Sequence, residues 1–319
     1  MTDMRAALYD RYGPPEVLYE GRVPVPALAR GEVLVRVHAA SVNGGELHGR
    51  AGRVRLVTGR RFPQRTGIDF AGEIAEVDAS VAGTGLREGD RVWGILPRRF
   101  GSAAEYVAVR PRQISPAPAN LTLVEAASLP VGTTAITALR AKARLRPGER
   151  LLVRGASGGV GSVAVQLGKA LGAHVTALAG PKNLGFVQDL GADEVLSYTT
   201  TGPSDLGAFD VVLDTVGTDH RAFRRLLSPG GRMVAIAFDV EHIAASGFYL
   251  LASAVHGPRR VRFFSGNPRH ELFAELTRYA ESGAIRPVVD TVRPLAEIAA
   301  AHRALEAGGV RGKHIIQIV

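Results

Sequence analysis

The sequence contains no cysteine. That single absence excludes disulfides, thiolate zinc ligands and a cysteine nucleophile. Lysine is nearly absent too. Lys142, Lys169, Lys182 and Lys313 are the only lysines among 39 cationic residues, so almost all positive charge is arginine. Aromatic residues make up 6% of the chain and are not interleaved with arginines as a nucleic-acid stacking surface requires. No apolar run reaches the roughly 18 residues of a membrane span. The first residues, Met1-Thr-Asp-Met-Arg-Ala-Ala, lack the apolar region of a signal peptide, so a cytoplasmic location is expected.

What remains is ordinary for a globular protein: 319 residues, 46% hydrophobic, 22% charged. This is enough for one or two domains with a sizeable core. The formal charge is +9. The arginines are spread along the chain, with small groups at 50–65, 98–99, 221–225 and 259–262. Two readings of this charge stand: a solvated surface, or attraction of a phosphorylated cofactor or an acidic substrate carrier. Neither a nucleic-acid nor a membrane partner is expected.

The stretch at 149–162 organises the chain. Leu151, Leu152 and Val153 form the short apolar run of a strand buried on both faces. Gly155, Gly158 and Gly161 follow at the spacing G-x-x-G-x-x-G, with Gly159 between them. Val163, Leu167, Ala170 and Leu171 then share one helical face, and Gly172 marks the stop. The chemistry behind the pattern is specific. One glycine permits the tight turn, one lets the backbone approach a pyrophosphate, and one lets helix and strand pack closely. The phosphates then meet free N–H groups at the positive end of the helix. A strand before and a helix and strand after are the context the motif needs. The structural alternative is an empty turn.

An NAD site carries Asp or Glu about 20 residues past the first glycine. Here Leu178-Ala-Gly-Pro-Lys-Asn183 offers no acid. Gly180 opens this segment and Lys182 supplies a cation suited to a 2′-phosphate. Tyr198, after the third strand, adds a hydroxyl. NADPH is therefore expected over NADH. The alternative for Lys182 is a solvated first-turn lysine.

Residues 1 to about 120 read as β-rich, punctuated by Gly and Pro, which suggests a partly open barrel or sandwich. Val33, Val35, Val37 and Ala39 alternate on one face of a strand. Helical stretches are expected from Leu123 and again from Thr133. Strands at 151–155, 173–178, 193–197, 209–216, 231–237 and 261–265 alternate with helices at 159–171, 183–190 and 219–227, the rhythm of a doubly wound parallel sheet. Residues 239–260 are read as a possible helical cover for a pocket or subunit contact. A helix at 269–283, a strand from Ile285, a helix near 295–306 and a strand from His314 finish the chain.

Several pieces in fixed order carry a family resemblance: Tyr12-Gly-Pro-Pro-Glu-Val-Leu18, Ala39-Ala-Ser-Val-Asn43, Gly67-Ile-Asp-Phe-Ala-Gly72, Gly89-Asp-Arg-Val-Trp-Gly94, Gly155-Ala-Ser-Gly-Gly-Val-Gly161, Leu190-Gly-Ala-Asp-Glu194, 209–217 and Gly312-Lys-His-Ile-Ile316. With them the chain resembles a medium-chain dehydrogenase/reductase of the zinc-independent, zeta-crystallin-like quinone oxidoreductase branch. The resemblance implies an α/β fold: a GroES-like β-rich catalytic domain at 1–121 and 268–319, and a Rossmann NADP-binding domain, a doubly wound parallel sheet, at 122–267. It implies NADPH, a small quinone or enone substrate, often a homodimer, and an active site in the cleft between domains.

By the same resemblance Asn43 lies near the nicotinamide ribose, and Thr133 and Thr134 begin a helix near the nicotinamide. Ser157, Gly158, Gly159, Val160 and Gly161 hold the pyrophosphate, and Val216 lies beside them. Ile236, Ala237 and Phe238 flank the ring, while Phe263, Phe264 and Ser265 contact the reactive end. The local alternatives are a turn residue for Asn43, helix caps for the threonines and core for the phenylalanines. The family's Arg-x-Gly-x-Tyr is replaced by Arg50-Ala-Gly-Arg-Val54, so that tyrosine is missing. Glu46 and His48 lie between, and His48 is a candidate proton donor or carbonyl partner, with a surface histidine as its alternative. The expected chemistry is hydride transfer from NADPH to a quinone or an α,β-unsaturated carbonyl. The alternatives are an enoyl reductase acting on a polyketide or acyl-carrier-bound intermediate, and a non-catalytic NADPH-binding or RNA-binding crystallin-like protein.

Overall fold

The computed structural model describes residues 3–59, 61–96, 99–237, 261–264, 266 and 268–319. The expectations for residues 239–260, Phe238 and Ser265 lie outside the described residues. The chain divides into two compact units. One comprises Met1–Val131, Asn267–Gly283 and Pro287–Val319; the other comprises Gly132–Gly266 and Ala284–Arg286.

In the first unit a seven-stranded sheet carries the core. Its order is Val289–Pro294, Lys313–Gln317, Val33–Ser41, Asp69–Val77, Arg91–Ile95 and Ile114–Pro116, with Tyr106–Val109 also pairing Val33–Ser41. Only the pair Val289–Pro294 with Lys313–Gln317 is parallel. A second sheet places Asp3–Tyr9 between Tyr19–Pro24 and Gln64–Arg65. The alternation read at Val33, Val35, Val37 and Ala39 is broken by a bulge between Val37 and Ala39, so that Ala40 rather than Ala39 joins the core cluster with the three valines, which are fully buried. They pack with Phe70, Ile74, Val92, Val107 and Ile316, and burial of such aliphatic side chains supplies about 1.5–3 kcal/mol each.

In the second unit six parallel strands lie in the order Glu194–Ser197, His174–Ala179, Arg150–Arg154, Phe209–Asp214, Leu227–Ala235, Val261–Phe263. Numbered within the unit this is 3-2-1-4-5-6, the doubly wound order. The central strands are apolar on both faces: Leu151, Leu152, Val153, Val211, Val212 and Leu213 have no exposed surface.

Several expected elements differ in detail. The stretch from Thr133 is a short α-helix, Gly132–Ile136, that widens into a π-helical turn, Thr137–Ala143. The helix at 123 is only Leu123–Ala126, fixed by a reciprocal Thr122–Glu125 cap. It packs on Val33–Ser41 and Asp69–Val77, so these residues group with the first unit rather than with the 122–267 expected for the second. The expected strand from Ile285 begins only at Val289. The reason is Gln166, which receives Arg286 N (2.9 Å) and donates to Arg286 O (3.2 Å). These bonds hold 284–286 to the second unit.

Candidate functional site

The glycine turn has the geometry its spacing demands. Gly155 leaves the strand Arg150–Arg154 with φ +71, in the left-handed region that favours glycine. Gly158 caps the helix Gly159–Ala170 in extended conformation. A Cβ on Gly161 would lie 2.1 Å from Gly155 O, so any side chain there would push helix and strand apart. A Cβ on Gly158 would meet only Gly155 O, at 3.5 Å, which leaves the turn open to a close-approaching group. Residues 157–160 are partly exposed around this opening. The N–H groups of the first helical turn have no partner within the helix and face outward at its positive end. This is a cradle that fits a pyrophosphate.

The sheet order puts the turn at a switch point. The strands Arg150–Arg154 and Phe209–Asp214 are neighbours whose connections leave in opposite directions, and ligands of such sheets bind outside the carboxyl ends there. Val216, half-exposed at 48%, follows Asp214, and a Cβ on Gly155 would approach its Cγ2 to 3.2 Å. Ile236 and Ala237, partly exposed, follow the next strand. The structure therefore brings Ser157, Gly158, Gly159, Val160, Gly161, Val216, Ile236 and Ala237 to adjacent strand ends.

A second group forms at the ends of the outer strands. Tyr198 N donates to Ala179 O (3.1 Å). The Tyr198 hydroxyl lies 3.2 Å from the point where Gly180 would carry a Cβ. Lys182 is exposed in the turn that follows Gly180. Thus Gly180, Lys182 and Tyr198 are neighbours, with no acid in the segment 178–183. Thr133 is buried and its carbonyl accepts from Thr137 Oγ1 (2.8 Å). Thr134 is partly exposed and lies beside Gly266. Phe263 is 41% exposed, and Phe264 lies under Lys142 Nζ, 5.9 Å from the ring centroid.

The first unit holds a different kind of cluster around Asn43. Asn43 starts the helix Gly44–Arg50 with extended backbone, but its side chain does not cap that helix. It turns inward instead. Asn43 Nδ2 donates to Glu46 Oε1 (2.9 Å), Ser41 O (3.1 Å) and Asp69 Oδ2 (3.2 Å). Asn43 Oδ1 accepts from Lys313 Nζ, which also donates to Val42 O (2.9 Å). Carboxylates only accept and an ammonium only donates, so these neighbours permit one orientation of the amide. With Nδ2 engaged on three acceptors, what Asn43 offers a further group is the second lone pair of Oδ1.

The cluster is deeply buried and charged. Asp69 is fully buried and accepts from Ser41 N (3.0 Å) and Ser41 Oγ (2.7 Å). Glu46 Oε2 accepts from Thr66 Oγ1 (2.9 Å) and Gly67 N (3.0 Å). Burial, reinforced by the Asp69 charge, pushes the Glu46 carboxyl up to about 7 against the pull of its hydrogen bonds and of Lys313. Burial lowers the Lys313 ammonium, opposed by Asp69 and Glu46. His302, with no exposed surface, is held down to about 3 by burial and by Arg50. His48 stands apart on the same helix as Glu46. Burial and Arg53 lower its pKa, and among the described residues no hydrogen bond joins it to Asn43.

Glu46, Asp69, Lys313 and the Arg154–Asp214 pair were not singled out as site residues from sequence. The signal available is weak: each of Asp69, Arg154 and Asp214 is a charged residue at one end of a strand, beside an apolar run. Among the described residues no group of three or more His, Cys, Asp or Glu side chains is arranged to hold a metal. No helix of the described residues is long and apolar enough to cross a membrane.

Comparison with known proteins adds the following. Residues 29–119 match the alcohol dehydrogenase GroES-like domain, and residues 190–316 match a domain described as zinc-binding dehydrogenase. A 2-methylene-furan-3-one reductase of Solanum lycopersicum is 33% identical across 99% of this chain and 79% of its own. A chloroplastic NADPH-dependent alkenal/one oxidoreductase of Arabidopsis thaliana is 30% identical across 98% of this chain and 79% of its own. The solved structure of a quinone oxidoreductase from Coxiella burnetii superposes with a TM-score of 0.89 at 29% identity, covering 100% of both chains.

Proposed function

Because the chain belongs to the medium-chain dehydrogenase/reductase family, in its quinone oxidoreductase branch, it is an oxidoreductase, and we propose that it passes hydride from NADPH to a quinone or an α,β-unsaturated carbonyl without zinc. The observation that carries the cofactor assignment is the turn at 155–161 at the sheet's switch point, together with Gly180, Lys182 and Tyr198 where an NAD site has an acid. The chain has no cysteine to offer a zinc ion, which supports the zinc-free reading. The bound nicotinamide supplies the hydride; the protein supplies position and electrostatics.

In this reading residues 157–161 hold the pyrophosphate with backbone N–H groups, and Lys182 and Tyr198 hold the 2′-phosphate. Val216, Ile236 and Ala237 line the crevice, and Thr134, Phe263 and Phe264 belong to its rim. Asn43 accepts a hydrogen bond from a hydroxyl through Oδ1. His48, with its pKa lowered, is neutral at pH 7 and offers a ring N–H to a carbonyl. The active protein is a homodimer, which light scattering of the purified chain tests directly.

The test is oxidation of NADPH against NADH, followed by absorbance, with a benzoquinone, a naphthoquinone, an alkyl enone and an enoyl thioester. Turnover on the quinones or the enone with NADPH preferred is the expected result. Turnover confined to the thioester moves the chain to acyl-carrier reduction. Tight NADPH binding with no turnover on any acceptor overturns the reductase reading.

A further inference from the structure

Arg154 is the last residue of one central strand and Asp214 the last of its neighbour, and they are register partners across the switch point. Their side chains meet as an ion pair, Nη1 to Oδ2 at 3.0 Å, with Asp214 fully buried and Arg154 6% exposed. The guanidinium makes three further contacts. Its Nη1 donates to Thr218 O (2.7 Å), its Nη2 reaches Thr218 Oγ1 (3.5 Å), and its plane stacks 3.6 Å from the Phe223 ring centroid.

The hydrogen bonds end on Thr218, in the loop that follows Asp214, and the Phe223 ring belongs to the helix beyond it. Asp214 Oδ1 accepts from Val216 N (2.9 Å) and Gly217 N (3.3 Å). Thr215 Oγ1 donates back to Arg154 O (2.7 Å). Asp219, after the loop, is held in the left-handed region at φ +55, a conformation that needs its surroundings to maintain it. His220, in the first turn of the next helix, lies with Nε2 3.0 Å from Asp214 Oδ2. The loop also abuts the glycine turn: a Cβ on Gly155 would come within 2.4 Å of Thr215 Oγ1. Loop and turn cannot move independently.

We propose that the Arg154–Asp214 pair is a positioning device for the dinucleotide, fixing residues 215–218 as one wall of the crevice so that Val216 and the glycine turn meet the cofactor in register. This rests on the reading of the turn as an NADPH site. The pair acts through the loop and touches no reacting atom. It also keeps a buried carboxylate neutralised beside a site for a polyanion, where an uncompensated charge would repel the pyrophosphate.

The test is NADPH affinity by direct titration, beside steady-state kinetics and thermal melting. Wild-type binding comes first: absence of NADPH binding fails the cofactor reading itself, and the inference with it. Given wild-type binding, Arg154→Met is expected to raise the NADPH Kd about tenfold or more, the order that misplacing a site wall produces. The loss falls on KM for NADPH rather than on kcat. Asp214→Asn keeps the acceptor for Val216 N and Gly217 N, and is expected to change Kd by about threefold or less. Arg154→Lys keeps the charge but loses the fork, and is expected to fall between them. A lower melting temperature with unchanged Kd and KM in Arg154→Met overturns the proposal and leaves the pair a purely structural contact. If Arg154→Met does not fold, Thr215→Val decides: it removes only the tie to Arg154 O, and a Kd unchanged from wild type overturns the proposal.

Discussion

Each unit of this protein buries a charged cluster, and the two are built on opposite principles. Around Asn43 two carboxylates, Glu46 and Asp69, face a single ammonium, Lys313. At the switch point one carboxylate, Asp214, faces one guanidinium, Arg154. The first cluster is charge-unbalanced and holds a side-chain amide; the second is balanced and holds backbone. An unbalanced buried cluster must adjust by taking up a proton, and Glu46 is the group placed to do so, with its carboxyl pushed up to about 7. A balanced one is locked by its geometry. The difference separates a chemical element, whose charge follows pH, from a mechanical one.

The comparison breaks most sharply at Lys313. Lys313→Met leaves Asp69 and Glu46 buried with no cation, whereas Arg154→Met leaves Asp214 with two backbone N–H bonds and a neighbouring imidazole. Removing one partner of a buried pair costs about 3–5 kcal/mol. Lys313→Met is expected to reach that range and Arg154→Met to fall below it, as measured by denaturant unfolding of the two variants side by side. Equal losses would erase the distinction. Lys313→Arg is also expected to destabilise, since a guanidinium fork does not fit the compact site between Val42 O and Asn43 Oδ1.

How far these clusters are legible in sequence follows from the same contrast. The glycine turn is legible because its constraint is local: a Cβ on Gly161 collides with Gly155, six residues away. The alternation of strand and helix gives the second unit's sheet for the same reason. The Asn43 cluster spans from Ser41 to Lys313, and the ion pair joins residues 60 apart in sequence, so neither leaves a periodic signal. The helix Gly44–Arg50 escapes propensity reading because it opens with two glycines, which disfavour helix. It is the element that carries Glu46 into the core. The late start of the strand Val289–Pro294 is equally invisible, since Gln166, on a distant helix, takes the Arg286 backbone bonds.

Glu46 sharpens the comparison through pH. In the unfolded chain its carboxyl titrates near 4.5; in the folded protein near 7. Between these values the native state holds the extra proton, so its contribution to stability is full below about 4.5 and is lost as pH rises through 7. The shift corresponds to at most about 3 kcal/mol. His302, held neutral with a pKa of about 3, works the other way: below about 6.5 the unfolded imidazole takes up a proton that the native one refuses, so its contribution rises with pH up to that point and opposes that of Glu46. The Glu46 contribution is therefore read as a difference: from pH 5 to pH 7.5, urea unfolding is expected to show the wild type losing stability relative to Glu46→Gln. Parallel pH profiles in the wild type and Glu46→Gln would move the proton to another group.

The smallest expected effect concerns an exposed charge outside both clusters. Lys182 stands in the turn after Gly180, at the ends of two parallel strands, and the Tyr198 hydroxyl lies near Gly180. An exposed ion adds little to stability, because water screens its interactions, but it can still attract a ligand's charge. Lys182→Ala is therefore expected to leave the melting temperature within error and to raise KM for NADPH about tenfold, a difference near 1.4 kcal/mol, with KM for NADH unmoved. Tyr198→Phe is expected to have a smaller effect in the same direction, since it removes one neutral hydrogen bond of about 1 kcal/mol or less. The effect of Lys182→Ala is also expected to shrink as salt is raised, while that of Arg154→Met persists, because screening reaches the surface charge and not the buried pair. If NADPH and NADH respond alike to Lys182→Ala, the lysine is an ordinary solvated residue and the 2′-phosphate is recognised elsewhere.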